Sequence, residues 1–157
     1  MDVNVPYHAG ILVHDLDSAI ERFTEKLGYT FNSPTTVHVH ELEDRISGST
    51  GPAEARVTYS RQGPFRLELI EISGTGIYGA ALGEGLHHLG VWEPDPEARL
   101  RELEVKGESV DAIFRRPDGT VSVFYASPEN ADGVRIEYVG AAQRERLERW
   151  FDTGELR

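Results

Sequence analysis

Two histidines and two glutamates recur in matching surroundings. His8 sits in Tyr7-His8-Ala9-Gly10-Ile11 and His88 in His87-His88-Leu89-Gly90-Val91. Glu68 sits in Leu67-Glu68-Leu69-Ile70 and Glu137 in Ile136-Glu137-Tyr138-Val139. Each half of the chain thus opens on His-x-Gly and closes on apolar-Glu-apolar. A carboxylate in mid-strand among large apolar side chains is costly unless it is paired or bound to a cation. Two imidazoles and two carboxylates form a nitrogen/oxygen donor set for a divalent metal of intermediate hardness. The expectation is one divalent ion held by His8, Glu68, His88 and Glu137, with nickel, cobalt, manganese, zinc and iron all admissible. Up to two coordination positions would stay open for water or a bidentate substrate.

The elements that must position these groups follow from residue periodicity. Side chains alternate faces along a strand. In the strand Tyr7–Val13, Ala9, Ile11 and Val13 form an apolar face that packs under a helix, and His8 points the other way with Gly10 and Leu12. Asp15 or Asp17 caps a helix in which Ala19, Ile20, Phe23 and Leu27 recur, and Gly28 ends it. Thr35–Leu42, Ala55–Ser60 and Phe65–Ile72 read as strands, and the Ser/Gly/Pro-rich residues 43–54 as a loop. His88–Trp92 begins the same order again. Asp95-Pro96-Glu97 opens a helix that ends at Gly107, and the strands Val110–Arg115, Thr120–Ala126 and Val134–Val139 follow. Strand, helix, strand, strand, strand occurs twice, an internal repeat. It predicts an α+β fold: one domain over residues 1–140, made of two βαβββ modules (5–73 and 86–140) whose sheets pair around a metal-binding cleft. Residues 141–157 add a C-terminal helix and tail, with Leu147, Trp150 and Phe151 on one stripe. That apolar stripe needs a cover, which predicts a homodimer.

The remaining motifs read as structural. His87, next to His88, must point away from it; His14 sits at a helix start; His38 and His40 share a solvated strand face. Gly74-Thr75-Gly76-Ile77-Tyr78-Gly79 is a literal G-x-G-x-x-G, but a dinucleotide site needs a helix next. The strand at His88 comes too soon for one, so the segment reads as the connection between the halves. Composition narrows the function classes further. The chain has 157 residues, 39% of them apolar, enough for one core. A net charge of −11 repels nucleic-acid phosphates and anionic lipid, so the expected partner is a small-molecule substrate, with no nucleic acid and no membrane. The absence of cysteine rules out disulfides, thiolate metal sites and Cys nucleophiles. No apolar run approaches the roughly 20 residues of a membrane helix, and residues 1–13 lack the basic start and apolar stretch of a signal peptide. A soluble cytoplasmic domain is expected.

From about Val5 to Gly140 the chain resembles the vicinal oxygen chelate superfamily, which includes glyoxalase I, methylmalonyl-CoA epimerase, extradiol dioxygenases and antibiotic-resistance proteins. Three segments carry the resemblance: Tyr7-His8-Ala9-Gly10-Ile11-Leu12-Val13 with Asp15-Leu16-Asp17; Gly85-Leu86-His87-His88-Leu89-Gly90-Val91, similar to the epimerase segment; and Ser127-Pro128 through Gly133-Val134-Arg135-Ile136-Glu137. Carried over by position, the ligands are again His8, Glu68, His88 and Glu137. A glutamate at the second position resembles glyoxalase I, where epimerases place Gln and dioxygenases His. The epimerase's catalytic glutamate falls near Arg56, with Glu54 one step along the same face. The resemblance implies an isomerase, epimerase or lyase that moves a proton through a metal-stabilised enolate of a small carbonyl or acyl substrate. Glu137 or Glu68 would be the base, Glu137 by preference, with Glu54 the outside candidate. Two alternatives remain: an iron-dependent extradiol-type dioxygenase, which needs only two histidines and one carboxylate, and a non-catalytic antibiotic-binding protein, which needs no metal. Trp92, Leu12, Ile70 and Val139 share faces with the ligands and predict a partly apolar substrate cavity. Arg56, Arg61 and Arg66 either bind a carboxylate or thioester tail or lie on a solvated strand edge.

Overall fold

Asp15 ends β1 (His8–Val13) and caps α1 (Leu16–Leu27), its carboxylate accepting from the Ser18 N–H at 2.8 Å. Asp95 does the same for α2 (Pro96–Val105), accepting from the Ala98 N–H at 3.0 Å. The structure, a computed structural model, describes residues 3–156. The other elements are β2 (Thr35–Asp44), β3 (Ser49–Tyr59), β4 (Arg66–Glu71), β5 (Gly85–Glu93), β6 (Val110–Arg115), β7 (Val121–Ala126), β8 (Ile136–Gly140) and α3 (Arg144–Thr153). The strand–helix–strand–strand–strand order therefore occurs twice, as the repeat predicts. The strands close into a barrel in the order β1-β4-β3-β2-β6-β7-β8-β5. The halves meet at two antiparallel seams, β1–β5 and β2–β6.

Strand parity sorts the core into an outer and an inner part. Outside, Leu16 and Ala19 of α1 pack on Val13 and Leu69, and Leu100 and Leu103 of α2 pack with Val110, Val121 and Phe124. In the inner part, α3 packs Trp150 and Phe151 against Leu12, Val57, Tyr59 and Ile70. The Asn32 Nδ2 group donates to the carbonyls of both aromatic residues at 3.1 Å, and Arg66 reaches Asp152 at 3.0 Å. Trp150 and Phe151 are each 1% exposed. The chain's own barrel covers the stripe that was expected to need a second subunit, so that ground for a homodimer is gone.

Residues 43–54 do not form the loop that their composition predicts. β2 and β3 continue as a hairpin turned at residues 45–48. Asp44 Oδ1 accepts from the N–H groups of Ile46 and Ser47 at 3.0 and 3.1 Å, an Asx turn. From Ser49 to Glu54 the strand is exposed or half-buried, so no apolar alternation marks it. The register also shifts between Val39 and Leu42, with Pro52, which has no N–H to donate, opposite the shift. No helix among the described residues is long and apolar enough to cross a membrane.

Candidate metal centre

β4, β1, β5 and β8 are consecutive in the barrel, and each supplies one of the four repeated residues: Glu68, His8, His88 and Glu137. Register arranges them in two rows. Gly10 pairs with Glu68 on one side and His88 on the other; Gly90 pairs with His8 and Glu137. Each row therefore runs Glu–Gly–His, and the row's imidazole lies over its glycine. A Cβ on Gly10 would stand 1.9 Å from His88 Cε1, and one on Gly90 would stand 1.9 Å from His8 Cε1. The glycines of the two His-x-Gly motifs are thus part of the site.

The Nε2 atoms of His8 and His88 are 2.9 Å apart. Glu68 Oε2 lies 3.2 Å from His8 Nε2 and 3.3 Å from His88 Nε2; for Glu137 Oε2 the distances are 3.0 and 3.2 Å. Ligand atoms about 2.1 Å from a common ion stand roughly 3.0–3.4 Å from one another, which matches this spacing. All four residues are buried, and Glu68 Oε2 and Glu137 Oε2 have no hydrogen-bond partner. Four lone-pair donors facing one another in a desolvated site repel unless protons or a cation come between them. The donor set fits a divalent ion.

Protons take that role in the metal-free protein. Burial opposes the His8 imidazolium, but Glu137 and Glu68 outweigh it and raise its pKa to about 9. His88 is raised in the same way, against burial, by Glu137 and Glu68. Both carboxylates are held below their ordinary range by the two histidines, again against burial. The His8 value has a consequence for stability. An unfolded histidine titrates near 6.5, so His8 stabilises the metal-free fold fully below that pH, and the contribution is lost as pH rises through about 9. The metal-free protein should melt at falling temperature from pH 7 to pH 10, and saturating zinc should flatten the profile. Scanning fluorimetry with and without zinc checks this; parallel profiles would contradict it.

A cavity of about 620 Å³ opens over Glu68 and Glu137. Val37, Val57, Phe114, Val123 and Val139 form much of its wall, and Leu147 and Trp150 of α3 contribute to it. Arg56 does not line it. Ala55, Val57 and Tyr59 are the inward set of β3, so Arg56 is on the outer face by parity. There it donates to Glu71 at 3.0 Å and to Asp17 at 3.1 Å, tying β3 to α1. The expected substrate role of Arg56 is corrected accordingly. Glu54, one step along the strand, borders the cavity, pairs with His38 at 3.4 Å and has a side chain 68% exposed. Trp92 is not a wall residue either. It stacks flat on Tyr7, ring centres 3.9 Å apart, and Tyr7 lines the cavity. His14 is exposed beside Glu84, and His38 and His40 are exposed residues that also border the cavity.

His87 overturns the expectation that it points away from His88. Along the β1–β5 seam, Gly10 pairs with His88 but Ile11 pairs with Leu86. His87 is the extra residue of a β-bulge, so alternation fails there. Its buried ring places Nδ1 2.9 Å from His88 Nδ1.

The Glyoxalase/Bleomycin resistance protein/Dioxygenase superfamily model matches residues 7–125, and the chain belongs to that superfamily. Among curated proteins none matches the chain in sequence. Solved structures share the fold. A methylmalonyl-CoA epimerase of Streptomyces coelicolor, in complex with 2-nitronate-propionyl-CoA, is 24% identical with a TM-score of 0.62, over 90% of this chain and 96% of that one. The methylmalonyl-CoA epimerase of Mycobacterium tuberculosis is 21% identical with a TM-score of 0.62, over 94% of this chain and 96% of that one.

Proposed function

We propose that this protein is a divalent-metal-dependent isomerase, epimerase or lyase that moves a proton on the carbon beside a carbonyl of a small acyl or keto substrate. The observation that carries this reading is a buried set of two imidazoles and two carboxylates whose carboxylates line a partly apolar cavity. A divalent ion held by His8, Glu68, His88 and Glu137 supplies Lewis-acid polarisation of a carbonyl oxygen. Val57, Val123, Val139 and Trp150 hold the hydrophobic part of the substrate and keep water from the reacting carbon. Glu137 takes the C–H proton on Oε1, the oxygen that makes none of the contacts to the histidines, and returns it to the product. Contact with the two histidines holds its pKa low, so it is ionised at neutral pH before a metal binds. The base is assigned to Glu137 because the second half carries the segment most similar to epimerases. A fourth protein ligand disfavours the dioxygenase, because it takes a coordination position that oxygen or substrate would need.

The test is isotope exchange. The protein, loaded in turn with zinc, cobalt, nickel, manganese and iron(II), is incubated in D₂O with a panel of 2-hydroxyketones, hemithioacetals and acyl thioesters. At least one pair should wash deuterium into the carbon beside the carbonyl, read by proton NMR. Oxygen uptake with catechols and no exchange would overturn the proposal in favour of ring cleavage. Metal-independent binding of apolar drugs with neither signal would overturn it in favour of a binding protein.

A further inference from the structure

We infer that His87 is a positioning residue that holds His88 in its metal-ligating tautomer through a relay from the Gly74–Gly79 connection. The inference rests on the metal-centre reading above. His87 Nε2 lies 2.7 Å from the Ile77 carbonyl oxygen. A carbonyl only accepts, so the hydrogen is on His87 Nε2. A neutral imidazole has one N–H, which leaves His87 Nδ1 a lone pair. The ring's two nitrogens meet the Ile77 carbonyl and the His88 ring, not a carboxylate that would favour a charged imidazole. At 2.9 Å, His87 Nδ1 must therefore accept from His88 Nδ1–H. His88 Nε2 is left with its lone pair turned toward His8, Glu68 and Glu137, the form a metal ligand needs.

The relay reaches back across the barrel. The Ile77 N–H donates to Asp44 Oδ2 at 2.8 Å, and Asp44 also organises the β2–β3 turn. Gly76 permits the approach, because a Cβ there would stand 1.8 Å from Asp44 Oδ2. The segment that looks like a nucleotide loop instead presents a carbonyl to His87. The two site histidines are not equivalent. His8 Nδ1 is buried with no hydrogen-bond partner, so nothing there holds a hydrogen and His8 keeps its own on Nε2, inside the cluster.

Selective ¹⁵N-histidine labelling tests this in two states. In the metal-free protein at pH 10, long-range ¹H–¹⁵N spectra should show His88 protonated at Nδ1 and His8 at Nε2. In the zinc-loaded protein, the His88 Nδ1 proton should exchange slowly with water. His87→Phe keeps a buried ring but removes the acceptor. It should weaken zinc binding about 10–100-fold and abolish the slow proton. His87→Asn restores an acceptor at the Nδ1 position and should recover most of both. If His87→Phe does not fold, the wild-type tautomers and the Asn variant still decide. Metal-free His88 protonated at Nε2, or wild-type zinc affinity in His87→Phe, would overturn the relay while leaving the metal centre standing. Zero zinc stoichiometry in the wild type would overturn the metal centre and the relay together.

Discussion

Replacing Gly10 with alanine will weaken metal binding as much as removing His88. The added Cβ would stand 1.9 Å from His88 Cε1 and 2.4 Å from both ring nitrogens. That ring is not the free end of a flexible side chain. It packs edge-on against Tyr125, His87 and His8, with centroids 5.1, 5.2 and 5.0 Å away, and its Nδ1 is bonded to His87. Either the imidazole leaves, carrying Nε2 out of the ligand set, or the β1–β5 seam opens. Overpacking of this kind costs about 1–3 kcal/mol of stability. The lost ligand costs more. A four-ligand zinc site is worth about 10–16 kcal/mol, so one ligand carries roughly 3 kcal/mol, a loss in affinity on the order of 100-fold or more. Gly90→Ala should do the same through His8. Gly51→Ala is the control, because nothing lies within 4 Å of its added Cβ. Competition with a zinc chelator should give wild-type affinity for Gly51→Ala and an affinity about 100-fold or more lower for Gly10→Ala and Gly90→Ala. A Gly10→Ala protein with wild-type zinc affinity would show that the close approach is not needed.

The four residues of the buried cluster were legible because parity and repetition are local. A glutamate flanked by Leu67 and Leu69, and again by Ile136 and Tyr138, marks a buried carboxylate whatever the strand pairs with. The glycines were visible in both His-x-Gly motifs, but their purpose depends on which strand lies next door, and the β1–β5 seam is a long-range fact. His87 was misplaced for the same reason. A bulge is an offset between two strands, and neither strand announces it alone. Trp150 and Phe151 declared an apolar stripe, but its cover comes from Leu12, Val57, Tyr59 and Ile70, scattered over three strands. From local sequence, such a surface looks the same as a second subunit. Arg56 was readable from parity alone, since Ala55, Val57 and Tyr59 define the inward face. The epimerase resemblance drew attention to that position against the alternation. The β2–β3 hairpin escaped because exposed strands carry no apolar period.

The two carboxylates separate only when metal and proton transfer are measured apart. By position they are near twins: each is 7% exposed, lines the cavity and places Oε2 within 3.3 Å of both imidazoles. Glu68→Gln and Glu137→Gln keep the volume and remove the charge. Each should weaken zinc binding by the ligand's share, about 100-fold or more, because a neutral amide neither offsets the ion's charge nor binds it as a carboxylate does. Raising the metal concentration refills both sites, and the variants then diverge. Glu68→Gln should regain most of the wild-type rate of deuterium exchange, because its loss was one of occupancy. Glu137→Gln should stay about 10²–10⁴-fold slower at full occupancy, because an amide cannot take the substrate proton. The double variant should bind no ion and exchange no deuterium. Recovery by Glu137→Gln with a persistent defect in Glu68→Gln would move the base to the first half of the chain. Full recovery by both would mean that neither carboxylate handles the proton and that each serves the metal alone.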